Sequence, residues 1–176
     1  MNIQSVETLM ADVADLFMAP VLLAILALFI YSLYAAGRFI SLWMLRRKNA
    51  GAYLLALKQG RVETLPGYQV HNFHVNNPLA CDDELEVFAL RKLELLRMAT
   101  RIAPMLGLIA TMIPMGPALR ALADGNIQGI SENLIVAFAA VIWGLVISTI
   151  TFWPASVKKR WFASELINIR KLKGAA

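Results

Sequence analysis

Between Arg101 and Pro154 apolar residues run almost without interruption, divided only by the polar turn Ala123-Asp124-Gly125-Asn126. About 20 apolar residues cover the roughly 30 Å hydrocarbon core of a bilayer, and both arms reach that length. Small residues are not scattered along them. On the first arm Ala103, Gly107, Thr111, Pro114 and Ala118 share one quadrant of a helical wheel; on the second, Asn133, Ala137, Ala140, Gly144, Ser148, Thr151 and Ala155 form a matching stripe. Bulky residues such as Leu108, Met112, Leu134 and Ile142 take the opposite faces. Small faces let helix backbones approach closely in lipid, where no hydrophobic effect drives association. The stripes therefore read as packing seams within one chain or as the lining of an assembled pore.

The rest of the chain extends this pattern. Residues 1–15 alternate Val6, Leu9, Met10 and Val13 with Glu7, Asp12 and Asp15, which predicts a short amphipathic helix at the membrane–water interface. Residues 16–36 form a first span that is bulky on every side, and so peripheral. Residues 37–101 read as an extramembrane helical segment interrupted by a loop at 60–80, where Pro66-Gly67 and Asn76-Asn77-Pro78 break any helical period. The first of its helices should close near Gly60, and Asp82 or Asp83 should cap the second. That second helix carries Leu85, Phe88, Leu93 and Leu96 at helical spacing, to pack on the 41–59 helix or on a neighbouring subunit. It then runs without a break into a second span, 102–122, whose Pro104, Pro114 and Pro117 invite kinking. A turn at 123–129, a third span at 130–155 and a basic tail at 156–176 complete an all-α membrane protein with three spans.

Charge then orients the chain. The net charge is +5, with 59% hydrophobic residues and a mean hydropathy of +0.60. Only Glu7, Asp12 and Asp15 precede the first span, whereas Arg38, Arg46, Arg47 and Lys48 follow it, and Lys158, Lys159, Arg160, Arg170, Lys171 and Lys173 follow the third. The positive-inside rule places the N-terminus and the 123–129 turn outside and the 37–101 segment and C-terminus inside. The N-terminus lacks the basic region of a signal peptide, so the first span is expected to be retained. No basic face interleaved with aromatics accompanies the excess, so nucleic acid is not an expected partner.

Candidate chemistry is sparse. His71 and His74 with Cys81 lack the four placed ligands of a closed zinc site. No nucleophile elbow, HExxH, phosphate loop or carboxylate pair is present, and neither catalysis nor a cofactor is expected. Polar groups inside spans are more telling, since they are costly there and mark ion pathways. Glu132 sits at the mouth of the third span. Counted at about 1.5 Å per residue from Arg101 and from Lys158, Thr111 and Ser148 both lie roughly 15 Å into the membrane. A hydroxyl there can order water or relay a hydrogen bond, or can instead satisfy a carbonyl of its own helix one turn back.

The stretch LRMATRIAPMLGLIATMIPMGPAL resembles the second-span pattern of the MotA/TolQ/ExbB proton channel family, a basic helix followed by A-P-x-L-G-L-x-G-T. ISENLIVAFAAVIWGLVIS resembles the family's third-span pattern, and the order of elements agrees. The resemblance implies a ring of five chains in the bacterial inner membrane around a dimer of a single-span partner of ExbD or TolR type, whose aspartate takes the proton. Ion flux would then drive an envelope process, for which a TonB- or TolA-like protein is a further implied partner. By position Thr111 matches the family's second-span threonine and Glu132 its third-span glutamate. The implied pore-lining set is Thr111, Ser148, Glu132, Gly107, Ala137, Ala140, Gly144 and Thr151. The family's third-span threonine has no counterpart: Ala137 stands there without a gap from Glu132, and Ala140 or Val141 if Gly144 is aligned. Ala110 replaces a usual glycine, and Ser148 is expected to take over the missing hydroxyl. Alternatives are a non-conducting scaffold for a single-span partner and a small stand-alone transporter.

Overall fold

The computed structural model describes residues 3–59 and 63–174, and these form four helices: α1 (Ile3–Gln59), α2 (Gln69–Asn76), α3 (Asp82–Ala123) and α4 (Ile127–Gly174). Three of them, α1, α3 and α4, are long and apolar enough to cross a membrane. The chain divides into two units, one comprising 1–33 with 99–150 and the other 34–98 with 151–176.

The first unit holds the most apolar parts of the three long helices. Its core is Val21, Ile25, Ala103, Ala110, Ala140 and Ile147, with Leu22, Leu28, Phe29 and Leu106 packed on it. Phe29 meets Trp143 edge to face at 4.7 Å. Residues such as Leu23, Leu26 and Ile30 on the opposite side of α1 are more than half exposed, as expected of a face meeting lipid. The separate interfacial helix expected over residues 1–15 is absent, since from Ile3 that stretch is continuous with the first span. Nothing between Ile3 and Met18 breaks a helix; the first proline is Pro20, and α1 passes through it.

Gly125 and Asn126 build the turn between α3 and α4. Gly125 takes φ +67°, the left-handed conformation that glycine adopts without steric cost. Its N–H donates to Leu122 O and that of Asn126 to Ala121 O, at 3.1 and 2.8 Å, the paired bonds of a Schellman C-terminus. Asn126 Oδ1 then accepts from Gly129 N–H at 3.0 Å and caps α4.

The second unit packs Val70, Ala80, Leu85, Ala89, Leu93, Phe162 and Ile169 into one core. Leu85, Phe88 and Leu93 thus pack with the later part of α4 and with the short helix α2. Phe73 and Phe88 stack at 4.3 Å. The loop expected over 60–80 contains α2, eight residues that the turn signals on either side concealed. The predicted cap at Gly60 lies outside the described residues. At α3 the cap is Cys81 rather than an aspartate: Glu84 Oε2 accepts the Cys81 N–H at 3.2 Å, the return arm of a capping box. Asp82 instead pairs with Lys173 at 3.0 Å and Arg170 at 3.2 Å.

Candidate functional site

The two small-residue stripes meet each other inside the first unit. Gly107 lies so close to α4 that a Cβ on it would stand 3.2 Å from Val141 Cα and 3.3 Å from Ala140 O. A Cβ on Gly144 would stand 2.6 Å from Ala103 O. One further turn along, Ser148 Oγ donates to Thr100 O at 2.9 Å. Ala103, Ala110, Ala137 and Ala140 are all buried. Gly107, Ala140 and Gly144 therefore form a close antiparallel seam within the chain, the arrangement that small faces permit in lipid.

These contacts fix the register of α3 on α4, and it differs from the one counted along the sequence. Ser148 lies level with Thr100, and Thr111 is about 16 Å farther along α3 at ~1.5 Å per residue. The two hydroxyls do not share a depth. Arg101 and Lys158 are not equivalent starting points, because the apolar run of α4 extends farther past the seam than that of α3. Stepping one turn from the Gly107–Val141 contact brings Thr111 level with Ala137 instead.

Thr111 is half-buried, and its Oγ1 donates to Leu108 O, three residues earlier, at 2.6 Å. That bond occupies the hydroxyl proton and leaves the oxygen able to accept another. Glu132 is exposed near the start of α4, where Gln128 Nε2 donates to its Oε1 at 3.0 Å. Thr151 is fully buried and belongs to the second unit.

Among the described residues no group of His, Cys, Asp and Glu could hold a metal ion. His71 is buried, with Nε2 3.2 Å from Glu63 O and Nδ1 without a hydrogen-bond partner. His74 Nδ1 is also unpartnered. Burial, helped by the nearby charge of Lys173, holds the His74 imidazole below its ordinary pKa, with Asp82 opposing.

Sequence reasoning missed the polar node of the second unit. Glu165, at 0% exposure, ion-pairs with Arg46 and accepts the backbone N–H groups of Val70 and His71 at 2.9 and 3.1 Å. It caps α2 from another helix, placing negative charge at the positive end of the helix dipole. Arg46 also donates to Gly67 O at 3.1 Å and lies over the rings of Tyr68 and Trp161, at 4.2 and 4.6 Å. The available signal was Glu165 itself, the single carboxylate in the basic tail.

A family model, that of the MotA/TolQ/ExbB proton channel family, matches residues 80–171, more than half of the chain. The chain belongs to the MotA/TolQ/ExbB proton channel family. No curated protein and no solved structure matches it. The matched stretch begins just before α3 and ends near the close of α4, so it contains the seam, Thr111, Glu132 and Glu165. Membership and three apolar helices make this a multi-pass membrane protein of proton-channel type, from a family that forms membrane complexes with partner proteins. The family is a class of transport subunits, not of enzymes.

Proposed function

We propose that this MotA/TolQ/ExbB protein is the ExbB/TolQ-like ring subunit of a proton-motive-force-driven stator in the bacterial inner membrane. In this reading five chains surround a single-span ExbD/TolR-like partner whose aspartate carries the proton, and a TonB/TolA-like protein receives the work. The N-terminus is periplasmic and the C-terminus cytoplasmic, following the basic residues after the first and third spans. Thr111, the half-buried hydroxyl of the second span, is the side chain offered to the proton path; Glu132 stands at the periplasmic mouth. Gly107, Ala140 and Gly144 set how closely the two pore-side helices approach. The observation that carries this reading is the family match across α3 and α4, which includes the half-buried hydroxyl of Thr111.

One observation favours the non-conducting scaffold as a second reading. Level with Thr111, α4 offers Ala137 and no hydroxyl, and Ser148 lies about 16 Å away. Coexpression with a single-span partner, native mass spectrometry and proton uptake in liposomes separate the two. A five-to-two complex whose uptake is lost in Thr111→Val supports the stator. A complex that forms but conducts only when Ala137→Thr restores the hydroxyl makes the wild-type chain a scaffold. A monomer that captures no partner refutes both.

A further inference from the structure

The second unit sets Arg38 on α1 and Lys92 on α3 near enough to Lys158 on α4 for their charges to oppose its own, and among the described residues no ion pair joins any of the three to an acid. Lys158 on α4 is only 9% exposed, yet among the described residues no carboxylate lies within ion-pairing distance of it. The charges that act on its ammonium are Arg38 and Lys92, both repulsive. Packing accounts for their convergence. Phe39, next to Arg38, lies against Trp153 and Trp161, at 5.2 and 5.4 Å, on either side of Lys158 along α4. Leu93, next to Lys92, shares the core with Phe162. Arg38 and Lys92 also lie over aromatic faces, Tyr34 at 5.8 Å and Phe88 at 5.4 Å.

Removing a charge from water without a counter-charge is costly, so this cluster calls for an anion from outside the chain. Its position indicates which. Arg38 directly follows the apolar run of the first span and Lys158 that of the third, and Trp43 and Trp153 nearby expose 45% and 63% of their surface. Exposed tryptophans at such ends mark the headgroup region, and basic pockets between helices at that level hold anionic headgroups. We propose that Arg38, Lys92 and Lys158 form a binding site for the phosphate of an anionic phospholipid headgroup. The proposal rests on membrane placement alone and holds whether or not the chain conducts protons.

The test is native mass spectrometry of the full chain in mild detergent, titrated with phosphatidylglycerol, phosphatidylcholine or soluble glycerol phosphate. Phosphatidylglycerol should bind in preference to phosphatidylcholine, and Lys158→Gln should weaken it about tenfold, near 1.4 kcal/mol. Lys158→Arg should keep binding. Lys159→Gln removes the same charge from the exposed neighbouring position and should leave affinity within about twofold. Arg38 is exposed, so Arg38→Gln tests the site without disturbing the core, and it too should weaken binding. Equal losses in Lys158→Gln and Lys159→Gln would overturn the site in favour of diffuse attraction. Equal binding of phosphatidylcholine would overturn phosphate recognition by charge, and displacement of the lipid by equimolar glycerol phosphate would make the ligand a soluble one.

Discussion

Gly144→Ala isolates the contact on which the α3–α4 seam depends. The added Cβ would stand 2.6 Å from Ala103 O, a backbone atom that no side-chain rotation can move away. Restoring an ordinary 3.4 Å contact requires the two helices to part by about 0.8 Å. A gap of 0.5–1 Å forfeits roughly a quarter to a half of each dispersion contact along the seam. Moved rigidly, the Ser148–Thr100 bond would lengthen from 2.9 Å past the hydrogen-bonding range. Overpacking of this kind costs about 1–3 kcal/mol and the lost bond about 1 kcal/mol, while alanine's better helix propensity returns about 1 kcal/mol. The net expectation is destabilisation by about 1–3 kcal/mol. Gly107→Ala is the internal control: its Cβ would stand 3.2 Å from Val141 Cα, so a shift of about 0.2 Å suffices and the propensity gain offsets it. Unfolding by dodecyl sulfate in mixed micelles, followed by tryptophan fluorescence in a chain that keeps only Trp143, beside the seam, measures both. Gly144→Ala at or above wild-type stability, or Gly107→Ala the worse of the two, refutes the close-packed seam.

Three other expectations follow from the described contacts. Glu165→Gln leaves the Arg46 guanidinium without its counter-charge and weakens the α2 cap; it should cost about 3 kcal/mol and speed proteolytic cleavage between α1 and α2, whereas unchanged cleavage would show that the node does not hold that segment. Ser148→Ala removes one interhelical bond and should lower stability by about 1 kcal/mol while leaving proton uptake intact, so a loss of uptake at wild-type stability would return Ser148 to the ion path. His74 has its folded-state pKa below the usual value near 6.5, so the stability that its neutral form contributes is present above 6.5 and is lost as pH falls through the depressed folded value. Thermal unfolding from pH 7.5 down to about pH 5 should therefore show a steeper loss in wild type than in His74→Gln, and equal slopes would exclude this residue as the source.

The spans were legible because each carries its own signal, and the α3–α4 turn because Asp124-Gly125-Asn126 has the chemistry of a Schellman end. What was not legible depends on contacts between distant segments. α2 reads as loop because QVHNFHVN is rich in residues of modest helix propensity and lies between turn signals. Its N-terminus is satisfied by Glu165, 95 residues beyond Val70. The α3–α4 register is hidden from the sequence for a related reason. Basic residues bound the apolar runs on α3 and α4, but long cationic side chains tolerate a range of depths, so Arg101 and Lys158 are not matched markers. Only the approach of Gly144 to Ala103 and of Ser148 to Thr100 fixes the pairing.

That pairing changes how the missing threonine is understood. Counting from Glu132 and aligning on Gly144 gave three different positions for it, Ala137, Ala140 and Val141. Ala140 is buried in the seam, its carbonyl oxygen 3.3 Å from where a Cβ on Gly107 would stand. Val141 Cα comes equally close to Gly107. Ala137 alone of the three is level with Thr111, one turn beyond the Gly107–Val141 contact, and it is buried. In the proposed stator reading, Ala137 is then the α4 residue that faces the level of Thr111, and Thr111 is the hydroxyl this chain offers there.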